Sequence, residues 1–154
     1  MGKLMKWRGL IVGAIALIIS PLILFSVAMP AQAAGCSGRG CDGGDPVQTG
    51  CVTGAYTVAS DYIYYLGTVI GRVDLRYSPV CETNWTRTIS YIGPQSLDAV
   101  VTEEDIGYHL NEYLDTVTSV YTDMIYAPSP TCAQGFGIIY VNGTQYNDAG
   151  LWSC

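Results

Sequence analysis

Six cysteines, every one of them between Cys36 and Cys154, constrain this chain more than any other feature. They sit behind an N-terminus that reads as an export signal. Lys3, Lys6 and Arg8 make a positive start, residues 9–29 are an uncharged apolar run, and Ala31-Gln32-Ala33 fits the small-x-small cleavage rule. Residues 1–33 are therefore expected to be a signal peptide and residues 34–154 a single secreted, disulfide-rich domain. The apolar run is also about long enough to span a bilayer as a retained anchor. Pro21 within it and the Ala-Gln-Ala exit favour cleavage. Ala33-Ala34-Gly35-Cys36 only loosely resembles a lipoprotein signal: it lacks a bulky aliphatic residue before the cysteine, and lipidation would leave five cysteines. An even count behind an export signal points to disulfides in an oxidising compartment rather than to metal thiolates. The absence of any Cys-x-x-Cys pair argues against a zinc ribbon.

The 121 residues from Ala34 onward suffice for one domain with one modest core. They carry all thirteen acidic residues against four arginines (Arg39, Arg72, Arg76, Arg87) and no lysine, a net charge of −9. Such a surface repels nucleic acid and anionic headgroups, suits solubility outside the cell, and could attract divalent cations. No stable membrane insertion is expected once the signal is gone.

Residues 35–50 are a loop by composition, with six glycines among sixteen residues and no regular element expected. Asp42 and Asp45 flank two of those glycines and are weak candidates for a calcium ion, which needs six to eight oxygens. Asx-type turns are the plainer role for them. After the loop, residues 56–59 and 62–70 are rich in the strand formers Tyr, Val, Ile and Thr. In residues 73–77, Val73, Leu75 and Tyr77 alternate with Asp74 and Arg76, as in a half-buried strand. Asp74 and Arg76 are then expected on the outer face, in a salt bridge worth little, about 0–1 kcal/mol. Further strands are expected over 83–92, where Trp85 needs a core, over 97–102 and over 117–126. Residues 103–114 are ambiguous between a short helix and a strand. Residues 138–141, Asn142-Gly143 and 144–146 carry the strongest hairpin signal. Short strands separated by turns predict an all-β, mainly antiparallel sandwich or barrel.

Six cysteines allow fifteen pairings. Hairpin symmetry narrows them. Cys132 and Cys154 flank the Asn142-Gly143 turn at nearly equal distances, and Cys51 and Cys81 flank Leu66-Gly67 in the same way. Cys36 and Cys41 remain to close a small glycine-rich loop. The expected bridges are thus Cys36–Cys41, Cys51–Cys81 and Cys132–Cys154.

Three stretches resemble a known family: G-C-S-G-R-G-C-D-G-G-D-P-V-Q-T-G-C at 35–51, T-V-A-S at 57–60, and G-R-V-D-L-R-Y-S-P-V-C-E-T-N-W-T-R at 71–87. Together they are similar to the bacterial secreted YjfA-like family, domain of unknown function 2690. The resemblance implies an exported, cysteine-bonded bacterial domain and carries no activity. On it, residues 35–87 are the family-like core, and the C-terminal part with Cys132 and Cys154 is an elaboration.

No catalytic constellation stands out. The single histidine, His109, lacks a nucleophile elbow for a Ser-His-Asp triad. Without lysine downstream of the signal, Schiff-base chemistry is excluded, and six paired cysteines leave no catalytic thiol. Glu82, Asp98, Glu103, Glu104 and Glu112 could supply the carboxylate pair of a small extracellular hydrolase, with or without His109, but that chemistry needs a defined separation. Twelve tyrosines could line a binding face or simply serve as sheet formers. The favoured expectation is a non-catalytic domain, with no cofactor, that binds an extracellular or envelope partner. Arg76 and Arg87 are expected to pair with acidic neighbours across strands.

Overall fold

The computed structural model describes residues 34–148 and 150–154, so the expected signal peptide lies outside the described residues. Two antiparallel sheets face each other. The first has the order β1 (Tyr56–Tyr65), β2 (Thr68–Ser78), β3 (Thr83–Ser90), β6 (Ser119–Tyr121). The second has the order β5 (Tyr108–Val117), β4 (Gln95–Glu103), β7 (Ala133–Val141), β8 (Thr144–Asn147), with β9 (Leu151–Ser153) also paired to β7. The architecture is the expected all-β sandwich. Its one helical feature among the described residues is a 3-10 turn at Gly38–Cys41, inside the loop expected to be irregular throughout.

Residues 103–114 form no helix. β4 runs to Glu103, a turn follows, and β5 starts at Tyr108. Gly107 has φ of +64°, so the glycine that weakens a helix here makes a tight turn instead. The long strand expected at 117–126 is also corrected: only Ser119–Tyr121 joins the sheet. Beyond it, Met124 exchanges backbone hydrogen bonds with the glycine loop, accepting from the Gly43 N–H and donating to the Gly44 carbonyl. Ile125 pairs with Asn84. The segment thus still bonds to β3 at Thr122 and Ile125, and only Met124 between them spends its backbone groups on a loop distant in sequence.

Along β2 and β3 the first sheet is covered on both faces by different means. Inward, Val73 and Leu75 pack with Ile125, Val101, Ala133 and Leu151. Close approach needs glycine on β7: a Cβ at Gly135 or Gly137 would stand 2.6 Å or 2.5 Å from the hydroxyls of Thr86 or Thr88. Outward, Trp85 is 4% exposed in a cluster with Met124, Cys41, Cys51 and Cys81, under the glycine loop. The expected surface salt bridge of Asp74 with Arg76 is not formed. Asp74 is fully buried, held by Arg72 at 2.9 Å and Arg87 at 2.7 Å, and by the Ser60 hydroxyl at 3.0 Å. Arg76 instead donates to the Ala55 carbonyl and the Thr57 hydroxyl and lies over the Trp85 ring. Arg87 does pair with an acid across strands, since it sits directly opposite Asp74.

The disulfides join Cys36 to Cys41, Cys51 to Cys81 and Cys132 to Cys154, the pairs that hairpin symmetry selects. The turns that impose the symmetry adopt left-handed backbone: Leu66-Gly67 at φ +49° and +80°, Asn142-Gly143 at +51° and +79°. Glycine, and to a lesser degree Asn, takes such values cheaply, as a two-residue hairpin turn requires.

Candidate functional site

Tyr56, Tyr77 and Asn84 stand directly opposite one another across β1, β2 and β3. Alternation places Tyr77 on the inward face with Val73 and Leu75. At this end of the inter-sheet space the segment 126–129 and the chain after β9 close around the row. They leave a cleft of about 300 Å³, whose lining includes Tyr56, Tyr77, Tyr126, Glu82 and Ser129. The Tyr56 and Tyr77 rings meet edge to face, 5.8 Å between centroids and 74° between planes.

Tyr126 is set in place from three sides. The Ile125 bridge to Asn84 fixes its backbone, and its N–H donates to the Asp42 carboxylate at 2.6 Å. Gly38 lies against the ring, where a Cβ would touch it at 3.5 Å. The Arg39 guanidinium sits 5.5 Å from its centroid. Arg39 donates two hydrogen bonds to Glu103, at 2.7 Å and 3.2 Å, and lies 3.5 Å from Asp42. Burial raises the Tyr77 phenol above its ordinary value, with further contributions from Tyr56, Glu82 and Tyr126. The Tyr77 phenol therefore meets the cleft uncharged. Glu82 enters from the turn held by Cys81, with its backbone at φ +58°. That conformation costs a non-glycine residue about 1–2 kcal/mol, and such strain clusters at functional sites.

A second groove, of about 220 Å³, opens between β5 and β6. It is lined by Asp45, Glu112, Leu114, Ser119, Val120, Tyr121 and Asp123. Burial, then the charge of Asp45, raises the Asp123 carboxyl.

The remaining expected site residues are scattered. His109 is exposed, faces Thr102 across the strands, and its one side-chain hydrogen bond is at 3.4 Å to the Gly107 carbonyl. Glu103 is buried and taken up by Arg39. Burial raises the Asp98 carboxyl on the outside of the second sheet, and Glu104 lies in the β4–β5 turn. Of the five candidate acids, Glu82 is in the cleft and Glu112 in the groove. Asp42 and Asp45 turn to separate partners: Asp42 accepts from Tyr126, and Asp45 caps the N–H groups of Val47 and Gln48 at 2.7 Å and 2.9 Å. That is the Asx role. The closest gathering of potential metal ligands among the described residues is the sulfur set Cys36, Cys41, Cys51 and Cys81, within 4.8 Å of one another. All four are in disulfides and offer no thiolate.

Residues 39–136 match the family described as protein of unknown function (DUF2690). The chain belongs to the DUF2690 family. The match runs well past residue 87, so β4, β5, β6 and the start of β7, with Cys132, belong to the family and are not an elaboration. No curated protein and no solved structure matches the chain. For this DUF2690 domain the cleft tyrosines are the residues that sequence reasoning missed. A signal for two of them existed. The hairpin symmetry that brings Cys51 near Cys81 also sets Tyr56 opposite Tyr77, because the two register shifts along β1–β2 cancel.

Proposed function

We propose that this DUF2690 protein is an exported, non-catalytic binding domain that takes a small ligand, or one side chain of an extracellular or envelope partner, in the tyrosine cleft. The observation that carries the reading is the convergence of Tyr56, Tyr77, Tyr126 and Glu82 on one concave site. A volume of about 300 Å³ is at the lower end of the range for ligand sites, about 300–1,000 Å³. Tyrosine suits recognition because it offers rigid apolar area with a polar tip. Export is supported by the leader-like residues 1–33 and by three disulfides with no free cysteine among the described residues. Among those residues no helix is long and apolar enough to cross a membrane. The YjfA-like resemblance supports a bacterial, secreted setting.

The test is an NMR screen of amino acids, short peptides, neutral sugars and amines against isotope-labelled, disulfide-intact protein. Specific shifts at Tyr56, Tyr77 and Glu82 are expected for at least one class. Shifts confined to the exterior of the second sheet would sink the reading. N-terminal sequencing of protein recovered from the medium of an expressing bacterium checks export, with Ala34 the expected first residue.

A second reading, a carboxylate hydrolase, draws on the groove, where Asp123 is the group raised toward an acid's role beside Asp45 and Glu112. Glycoside hydrolysis sensitive to both Asp123→Asn and Glu112→Gln would favour it. Absence of turnover on a panel of chromogenic glycosides would remove it.

A further inference from the structure

We infer that the ligand group taken by the tyrosine cleft is an alkylammonium cation. The inference rests on the cleft-binding reading above and names the chemistry of its ligand.

Three features converge. The first is aromatic. Tyr56 and Tyr77 meet edge to face at 74°, and Tyr126 joins them in the lining, so three aromatic rings set at different angles border the cleft. A cation over a tyrosine ring is attracted by the negative quadrupole of the face, and several rings around one cation add up. The second is charge. Glu82 is the only acidic side chain of the lining, and the lining contains no lysine, arginine or histidine. Nearby Arg39 does not supply a free positive charge, because Glu103 and Asp42 answer it. Tyr126 already receives that guanidinium on its ring, so the same aromatic side chain is in use as a cation partner. The third is strain. Glu82 keeps a left-handed backbone at φ +58°, a position that glycine would fill at no steric cost. A carboxylate retained there, at the mouth of an aromatic cleft, has a use in the approach of positive charge. The raised Tyr77 phenol agrees with this arrangement, since it does not compete with Glu82 as an anion.

The small volume admits one ammonium group and its methyl or methylene neighbours rather than an oligomer. A trimethylammonium headgroup and a lysine side chain share this chemistry. Both are used as probes, so that the experiment separates the two sources.

The test is titration of disulfide-intact protein by calorimetry and by NMR. The probes are choline, Nα-acetyl-lysine methylamide and 3,3-dimethylbutanol, which matches choline in shape without its charge. The expected result is saturable binding of at least one cation, with shifts at Tyr56, Tyr77 and Tyr126, and at least tenfold weaker binding of the alcohol. The tighter cation identifies the source. Tyr56→Ala, at a half-exposed position that the fold tolerates, should weaken the cation by about three- to thirtyfold, whereas Tyr56→Phe should nearly preserve it. Glu82→Gln should weaken it by up to about fivefold, and the loss should shrink in high salt. If the alcohol binds as tightly as the cations, the cation assignment falls and cleft binding stands. If neither cation perturbs the tyrosines while other classes in the wider screen do, the assignment again falls alone. If Tyr56→Phe abolishes binding, hydrogen bonding rather than the ring face holds the ligand, which also overturns it.

Discussion

The two faces of the first sheet are both covered along β2 and β3, but by opposite chemistry. On the inner face Val73 and Leu75 meet the second sheet through glycine gaps at Gly135 and Gly137. On the outer face a fully buried Asp74 is locked between Arg72 and Arg87, and Trp85 is roofed by a glycine loop that Cys36–Cys41 closes on itself and Cys51–Cys81 ties to the β2–β3 turn. The contrast shows what a small domain does when its chain is too short for two hydrophobic layers. One side is stabilised by shape, and the other by paired charge and covalent closure.

The comparison breaks most readily at the ion cluster. Replacing Arg72 and Arg87 together with alanine strands the Asp74 carboxylate in a buried site. A loss of about 3–5 kcal/mol is expected in urea unfolding. Adding Asp74→Asn should recover a large part of it, because the stranded charge is then gone. Removing Asp74 alone should cost less, since both arginines are about a third exposed (35% and 36%) and can reach water. If the arginine pair can be deleted without loss, the outer face is not held by charge.

Covalent closure comes next. Cys51→Ala with Cys81→Ala opens a link spanning 30 residues and should cost about 2–4 kcal/mol by the same measurement. Hydrogen exchange should show the loop over Trp85 opening first, with β7 protected. The inner face is probed by Gly137→Ala, whose new methyl meets the Thr88 hydroxyl and Val73. Overpacking of this kind costs about 1–3 kcal/mol. Gly54→Ala is no match for it as a control, because that glycine has φ of +72°; Gly40→Ala, in open space without a left-handed backbone, is the right one and should be nearly neutral.

The smallest effect is with pH. Burial raises Asp98, Asp123 and Asp148 above their ordinary 3.8. A carboxyl raised by folding contributes stability below its unfolded value, and the contribution is lost as pH climbs through the folded one. Asp115 has the opposite sign: hydrogen bonds from Ser96 and Tyr113 lower it, so its contribution is present above 3.8 and fades on acidification. Three raised groups against one lowered, on a chain with excess negative charge, predict a modest rise in Tm as the pH falls from 7 toward the carboxyl range. A fall in Tm on acidification would mean that the raised carboxyls do not govern the acid limb.

Strand content, turn positions and the cysteine pairs were legible because each depends on local signals: period-two alternation, left-handed turn residues, and equal arm lengths about a turn. The burial of Asp74 was not. Alternation assigned it to the outer face correctly, since Arg72, Asp74 and Arg76 share that side, but alternation does not say whether the face meets water. Residues 122–126 failed for a related reason. Their β-propensity is real, and Thr122 and Ile125 do bond to β3, but Gly43 and Gly44 claim Met124 between them and interrupt the ladder.

By itself the chain order of Cys, Gly and alternating apolar residues determined an antiparallel, disulfide-closed β-domain, because hairpin geometry is decided within a few residues of each turn. Only the tertiary structure decided where charge is buried and where tyrosine gathers. The Arg39–Glu103 clamp joins residues 64 apart, and Tyr126 reaches the cleft through contacts with Asp42 and Asn84. Such meetings depend on how two sheets and a loop pack, and no local pattern records that.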